Sequence, residues 1–369
     1  MDAKNSRYLS IDALRGVIML LMALDHANYF VAQAHPLGEH WGGNFPVYQD
    51  ALSFITRLVT HLSAPGFFFL MGVGMVLFVQ ARRQRGWSEW QVIGHFVLRG
   101  LVLIFLQFTI VNQAWKLGPE RFPEIYIGVL FALGCAMIIA SLTLKLKPWH
   151  WLAIAGVLFL GTEMLHPAPG QWGLNEPWGL LTVYSGGTWQ IWSNYPVLPW
   201  LELVFFGMFV GSWLKDNPQK TAKHIFWLGI IFLLAYAVIR LGDGFGNIRP
   251  RAGDSWIDFL NVVKYPPSMA FSLLAMGANL ILLSGINAVP DRASRWLKPL
   301  AIFGRVPLFF YVVHLYLYLA IGAVLTPQGT SIPKMYPYWL LGLAVLYPLC
   351  MFYGRLKKRY PSNFLLRYW

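Results

Sequence analysis

Residues 10–30, SIDALRGVIMLLMALDHANYF, decide the fold. The stretch has the length and apolar content of a helix that crosses a bilayer, yet it carries charge where lipid should exclude it. Arg15 stands near its start and the pair Asp25-His26 roughly halfway along. At 3.6 residues per turn, Arg15, Met22, His26 and Tyr29 share one face, and Arg15 lies about 16 Å along the axis from His26. A charge at mid-bilayer costs about 2.5–3.5 kcal/mol on insertion scales, so this face must meet other helices or water. The stretch predicts a polar cavity inside a helical membrane protein, with His26 at its reactive point.

The remainder of the 369 residues agrees. The chain is 57% hydrophobic and 12% charged, with mean hydropathy +0.50, which a soluble domain rarely shows. Apolar runs fall at 11–33, 51–80, 95–115, 125–144, 149–166, 196–214, 224–241, 266–288, 299–325 and 337–354. They predict an all-α polytopic protein of about ten transmembrane helices, forming one membrane domain over 1–369. The net charge of +13 would suggest nucleic acid in a soluble protein. Here the basic residues sit in short loops, and topology accounts for them without a nucleic-acid partner. Alternate loops divide Lys and Arg about 21 to 8, which predicts that both termini are cytoplasmic. Lys4 and Arg7, the first apolar run and Ala32-Gln33-Ala34 imitate a cleavable signal. Asp25-His26 interrupts that run, so the first helix is expected to be retained. Cys135 and Cys350 lie in apolar runs and read as packing residues.

Among side chains that could carry chemistry, His26 comes first, because a neutral imidazole accepts a proton near neutral pH. Asp25 precedes it and on a helix points about 100° away. It either orients His26 through a local distortion or pairs with another helix. Arg57 and His61 stand four residues apart on the second helix, ahead of Pro65, which is expected to bend it. An antiparallel pair of helices can bring His61 close to His26. Asn112 and Gln113 end the third helix, Glu202 opens the sixth, and Lys264-Tyr265-Pro266-Pro267-Ser268 opens the eighth. His314 sits mid-helix in the ninth, with Tyr311 three residues before it.

Residues 34–50 and 167–195 are rich in Trp, Gly and Pro and contain no Lys or Arg. They read as interfacial aromatic belt and turns, with stacking on a sugar ring as a further use. The glycines of Met71–Met75 read as helix-packing positions. The histidines show no paired ligand spacing on a helix face, and no metal is expected.

SIDALRGVIMLLMALDHA at 10–27, LVTHLSAPGFFFLMGVGMVLF at 58–78, KYPPS at 264–268 and PLFFYVVHLYLYL at 307–319 form an ordered set. The set resembles the bacterial membrane proteins related to heparan-alpha-glucosaminide N-acetyltransferase. Arg15 and His26, with ten residues between them, also resemble the Arg/His signature of membrane acyltransferases that O-acetylate polysaccharides. The resemblance implies transmembrane acyl transfer in a bacterial plasma membrane, with acetyl-CoA as co-substrate from the cytoplasm. The acceptor would be an amine or hydroxyl, often of a sugar, on the far side.

His26 falls where the lysosomal relative has an active-site asparagine. That relative's catalytic histidine lies in the first luminal loop, where His35 is nearest here and His40 stands behind it. The resemblance thus leaves His26 and His35 as candidates for the catalytic base, with His26 preferred. It gives Asp25 the stabilisation of the imidazolium, and His61, Arg57 or Asn112 that of the oxyanion. Gln113, Glu202, Tyr265 and His314 remain for the acceptor. Cytoplasmic cations would hold the CoA phosphates: Arg15, Arg99 and Arg305, with Arg82, Arg83 and Lys298 also in place.

One-step transfer and an acetyl-histidine intermediate use the same residues. The oligomeric state is open, a homodimer included. The rival readings are a proton-coupled transporter, which also needs mid-membrane Asp, His and Arg, and a non-catalytic membrane scaffold. No internal repeat of the transporter kind is visible.

Overall fold

The computed structural model describes residues 3–369 except 37, 38, 43, 44, 49, 167–176, 217, 364, 365, 367 and 369, and leaves aside the side chains at 3–8, 215–220 and 291. Part of the Trp-rich loop, Arg367, and the side chains of Lys4, Arg7, Lys215 and Lys220 therefore lie outside the described residues.

The helices fall where the apolar runs place them. They are α1 (Ala3–Ala27), α2 (Ala51–Thr60), α3 (Ser63–Arg83), α4 (Glu89–Leu106), α5 (Asn112–Lys116), α6 (Val129–Ser141), α7 (Pro148–Leu165), α8 (Pro177–Thr182), α9 (Val197–Asp216), α10 (Pro218–Gly242), α11 (Trp256–Leu260), α12 (Met269–Asn287), α13 (Lys298–Gly304), α14 (Pro307–Leu325) and α15 (Ile332–Arg359). Among the described residues, seven helical stretches are long and apolar enough to cross a membrane; α2 with α3, and α4 with α5, each count as one. The protein is a polytopic helical membrane protein. The other three predicted spans are helical but differ in kind: α6 is 13 residues long, α7 begins with Pro-Trp-His-Trp, and α1 carries Asp12, Arg15 and Asp25.

Those charges are tolerated because α1 scarcely meets lipid. It is packed against α2, α3, α12, α13, α14 and α15. Ala13, Leu14, Ile18, Met19, Ala23 and Ala27 are fully buried. By contrast α7 and α10 present exposed rows, among them Val157, Met164, Ile231 and Val238, as lipid-facing helices should. Close crossings depend on glycine. A Cβ on Gly16 would stand 2.0 Å from the Leu300 carbonyl oxygen, and one on Gly304 would stand 1.9 Å from that of Asp12, so α1 and α13 touch backbone to backbone. Gly72 of the Met71–Met75 segment brings α3 onto α9 in the same way, whereas Gly74 faces open space.

Two local expectations change. The second helix breaks at His61-Leu62, ahead of Pro65, which sits instead in the first turn of α3 and needs no partner for a missing N–H. The fourth helix starts at Val129, because β1 (Ile125–Ile127) pairs in parallel with β3 (Ile191–Ser193), and β2 (Gly186–Gly187) pairs antiparallel with β3. This small sheet stands beside the end of the bundle to which α1 runs, and it sets Tyr126, Asn194 and Tyr195 on a cavity wall.

Replacing Gly16 or Gly304 by Val overpacks the α1–α13 crossing. A loss of about 1–3 kcal/mol or more is expected, read as a lower unfolding temperature in detergent. Gly156→Ala, mid-helix in α7 with nothing within 4 Å of the added Cβ, should not lower that temperature.

Candidate functional site

The face read from the sequence lines a cavity. Arg15, Met22, His26 and Tyr29 of the first helix and its continuation border one space of about 470 Å³, bounded further by α3, α4, α6 and the start of α14. At one end Arg15, Arg99, Arg305 and Lys357 converge from four elements. Arg15 donates to the Gly304 carbonyl at 3.0 Å, and Arg305 to Asp12 at 3.0 Å. Arg82, Arg83 and Lys298 do not line the cavity; Arg82 lies over the Phe78 and Trp87 rings. The waist is apolar, with Leu70, Met71, Met75, Leu133 and Met137. The far end gathers Asp25, His35, Glu39, His40, Lys264 and Tyr265.

His26 sits between the two ends. His314 donates from Nδ1 to the Phe310 carbonyl at 2.9 Å, which leaves its Nε2 as an acceptor. That nitrogen is 2.6 Å from His26 Nδ1, so His26 carries its hydrogen on Nδ1 and its lone pair on Nε2. Among the described residues His26 Nε2 has no hydrogen-bond partner, and the ring borders the cavity, with Trp115 edge-on at 5.3 Å. The relay makes one nitrogen of His26 a base toward open space.

Asp25 does not touch His26. As the helical geometry allows, it turns to another partner: Arg57 ion-pairs with it, Thr60 donates to it at 2.9 Å, and His35 Nε2 stands 3.5 Å away. Arg57 is fully buried and committed. Its Nε donates to Glu39 at 2.7 Å, Nη2 also bonds Glu39, and Nη1 bonds Asp25. His61 bonds Glu39 at 2.8 Å. Neither Arg57 nor His61 lines the cavity.

Asn112 does not line the cavity either; its Oδ1 accepts from Gln107 at 2.9 Å where the helix widens by one residue between α4 and α5, and Gln113 is exposed. Glu202 is buried away from the cavity and accepts from Ser272 at 2.8 Å. Of the acceptor candidates only Tyr265 borders the space, and His314 reaches it through His26. His40 bonds Asn194 at 2.9 Å and stacks on Tyr265, and Trp41 pins the loop by donating to the Ser185 carbonyl at 2.6 Å. Trp41 is thus structural, while Trp178 and Trp189 of the second loop are exposed.

Glu39 and Lys264 are residues to which sequence reasoning gave no role. An acid in an outer loop, 34–50, that holds no Lys or Arg to pair with it was the available signal for Glu39. Its backbone carbonyl accepts the N–H groups of Lys264 and Tyr265 at 3.1 and 3.2 Å, which fastens the loop to the segment before α12. Burial opposes the charge on Glu39, but Arg57 and His61 outweigh it and hold its carboxyl well below the usual range. Burial and then Arg57 push the Lys264 amine down to about 8.

This architecture is that of a polytopic helical membrane protein with an imidazole bordering an internal cavity. The sequence profile described as heparan-alpha-glucosaminide N-acetyltransferase, catalytic, matches residues 7–242, more than half of the chain, and the chain belongs to that family. It is 30% identical over 196 residues to the Homo sapiens heparan-alpha-glucosaminide N-acetyltransferase, a match covering 46% of this chain and 28% of the human protein. It is 30% identical over 205 residues to the Mus musculus protein of the same name, covering 54% and 26%. The chain thus matches little more than a quarter of the length of either relative.

Arg57→Met leaves two buried carboxylates without their cation, and a loss of about 3–5 kcal/mol is expected in detergent unfolding. The depressed Glu39 carboxyl contributes stability that is fully present above its unfolded value of about 4.3 and is lost as pH falls through the lower folded value. The stability gap between wild type and Glu39→Gln should therefore be full above about pH 5 and begin to narrow below about pH 4, in melts recorded from pH 3 to 7.

Proposed function

We propose that the protein moves an acetyl group from acetyl-CoA to an amine or hydroxyl acceptor of the amino-sugar class, across a bacterial plasma membrane. The observation that carries this reading is the placing of His26, with a bare Nε2, in a cavity that runs to a four-cation mouth. The mouth faces the cytoplasm in this proposal. Arg15, Arg99, Arg305 and Lys357 suit the CoA phosphates, and the Met- and Leu-lined waist suits an extended thioester arm. The acceptor enters from the far end past Tyr265 and Asn194. Family membership and the names of the two relatives support the same chemistry.

In the reaction the acceptor nitrogen or oxygen bonds to the thioester carbonyl carbon while His26 Nε2 takes its proton. The tetrahedral intermediate then breaks its C–S bond, and the leaving thiolate recovers the proton from the imidazolium. His314 stays bonded to His26 Nδ1–H throughout and shares the positive charge.

One contact favours a second assignment within this reading. His35 borders the same space with Nε2 3.5 Å from Asp25, itself held by Arg57, and a carboxylate-held imidazole is also a base. Labelled acetyl-CoA and glucosamine, offered to purified protein in nanodiscs, should yield labelled product. His26→Ala should lower turnover about 10²–10⁴-fold with acetyl-CoA binding retained. If His35→Ala shows that loss and His26→Ala does not, the base is His35. Substrate flux through liposomes without acetyl-CoA, and no acetyl transfer, would mark a transporter.

A further inference from the structure

The oxyanion of the tetrahedral intermediate has no partner among the side chains that the sequence offered. None of Arg57, His61 and Asn112 lines the cavity. Lys264 is a buried cation that does. It is 3% exposed and borders the cavity. It makes no hydrogen bond or ion pair through its side chain among the described residues, and its Nζ stands 5.0 Å from the centroid of the Tyr265 ring. A buried ammonium with three unused donors needs an oxygen to receive them.

The electrostatic surroundings define which oxygen. Asp25 from α1 and Glu39 from the loop place two negative charges here, and Arg57 from α2 supplies one positive charge. Lys264 balances the remaining charge without touching either carboxylate. It is close enough to Asp25 and to His26 for its charge to be felt by both. The other uncommitted donors beside His26, Tyr29 Oη and Trp115 Nε1, are neutral.

Resting on the acetyl-transfer reading, we infer that Lys264 is a catalytic residue whose ammonium group receives the negative charge of the acetyl oxygen as the acceptor attacks. The backbone bond from Lys264 N–H to the Glu39 carbonyl fixes where the side chain starts. Donors aimed at developing charge in a water-poor site are worth far more than in water. The amine serves only while protonated. Its value of about 8, lowered by burial and Arg57 and raised by Asp25 and Glu39, sets the upper pH limit of the rate.

The test uses the full chain in nanodiscs with acetyl-CoA and glucosamine, following CoA release from pH 6.5 to 10. The wild-type rate should fall as pH rises through about 8. Lys264→Met should lower kcat about 10²–10³-fold, with KM for acetyl-CoA and glucosamine changed little. Lys264→Arg should recover part of the rate and lose the fall near pH 8. A Lys264→Met enzyme with kcat within tenfold of wild type and a raised glucosamine KM would make Lys264 an acceptor-binding group and overturn the inference. So would a wild-type rate that is level across pH 8, a result that needs no variant to fold. Absence of CoA release from wild type at every pH sinks the acetyl-transfer reading and this inference with it. CoA release that ignores position 264 sinks only the latter.

Discussion

A single buried guanidinium holds the far end of this molecule together. Arg57 has no exposed surface, and it bonds two carboxylates that reach it from different directions, Asp25 at the end of α1 and Glu39 in the loop beyond. Burying one such charge unpaired would cost several kcal/mol, so the three groups are ordered together or not at all. Glu39 carries the constraint further. Its side chain also binds His61, and its backbone receives Lys264 and Tyr265. α1, α2, the loop and the segment leading into α12 are thereby set relative to one another, and these are the walls of the cavity's far end.

The same cluster frees His26. Because Asp25 is drawn to Arg57, it is not available to the imidazole, which bonds His314 instead. The outcome is two separate polar systems on adjacent residues of one helix. One is ionic, load-balanced between two acids and two cations. The other is a neutral relay that ends on a nitrogen facing open space. The relay has no fixed carboxylate bonded to it among the described residues.

The position of α1 makes this arrangement possible. A helix with Asp12, Arg15 and Asp25 is a poor partner for lipid, and it stands inside a ring of other helices with its small residues against their backbones. Arg15 and Arg305 share Asp12 at one end of the cavity and the ionic cluster occupies the other. The apolar waist between them separates two charged regions by a passage of roughly three helical turns, about 16 Å.

The sequence by itself determined the class and the central helix. Apolar length fixes a span whatever its neighbours, and the 3.6-residue period places Arg15, Met22, His26 and Tyr29 on one face by local geometry alone. It also marked the acids, histidines and arginines as costly in a bilayer and hence in need of company. Which company each keeps was decided only by the tertiary structure. Asp25 is adjacent to His26 in the chain, but its partners come from residues 35, 57 and 60; Glu202 and Asn112 look like site residues and are satisfied elsewhere; Glu39 and Lys264 look ordinary and meet at the cavity. The reason is physical. Burial of an apolar run depends on composition within one segment, whereas the satisfaction of a buried charge depends on angles and distances between segments far apart in sequence, which no local pattern encodes.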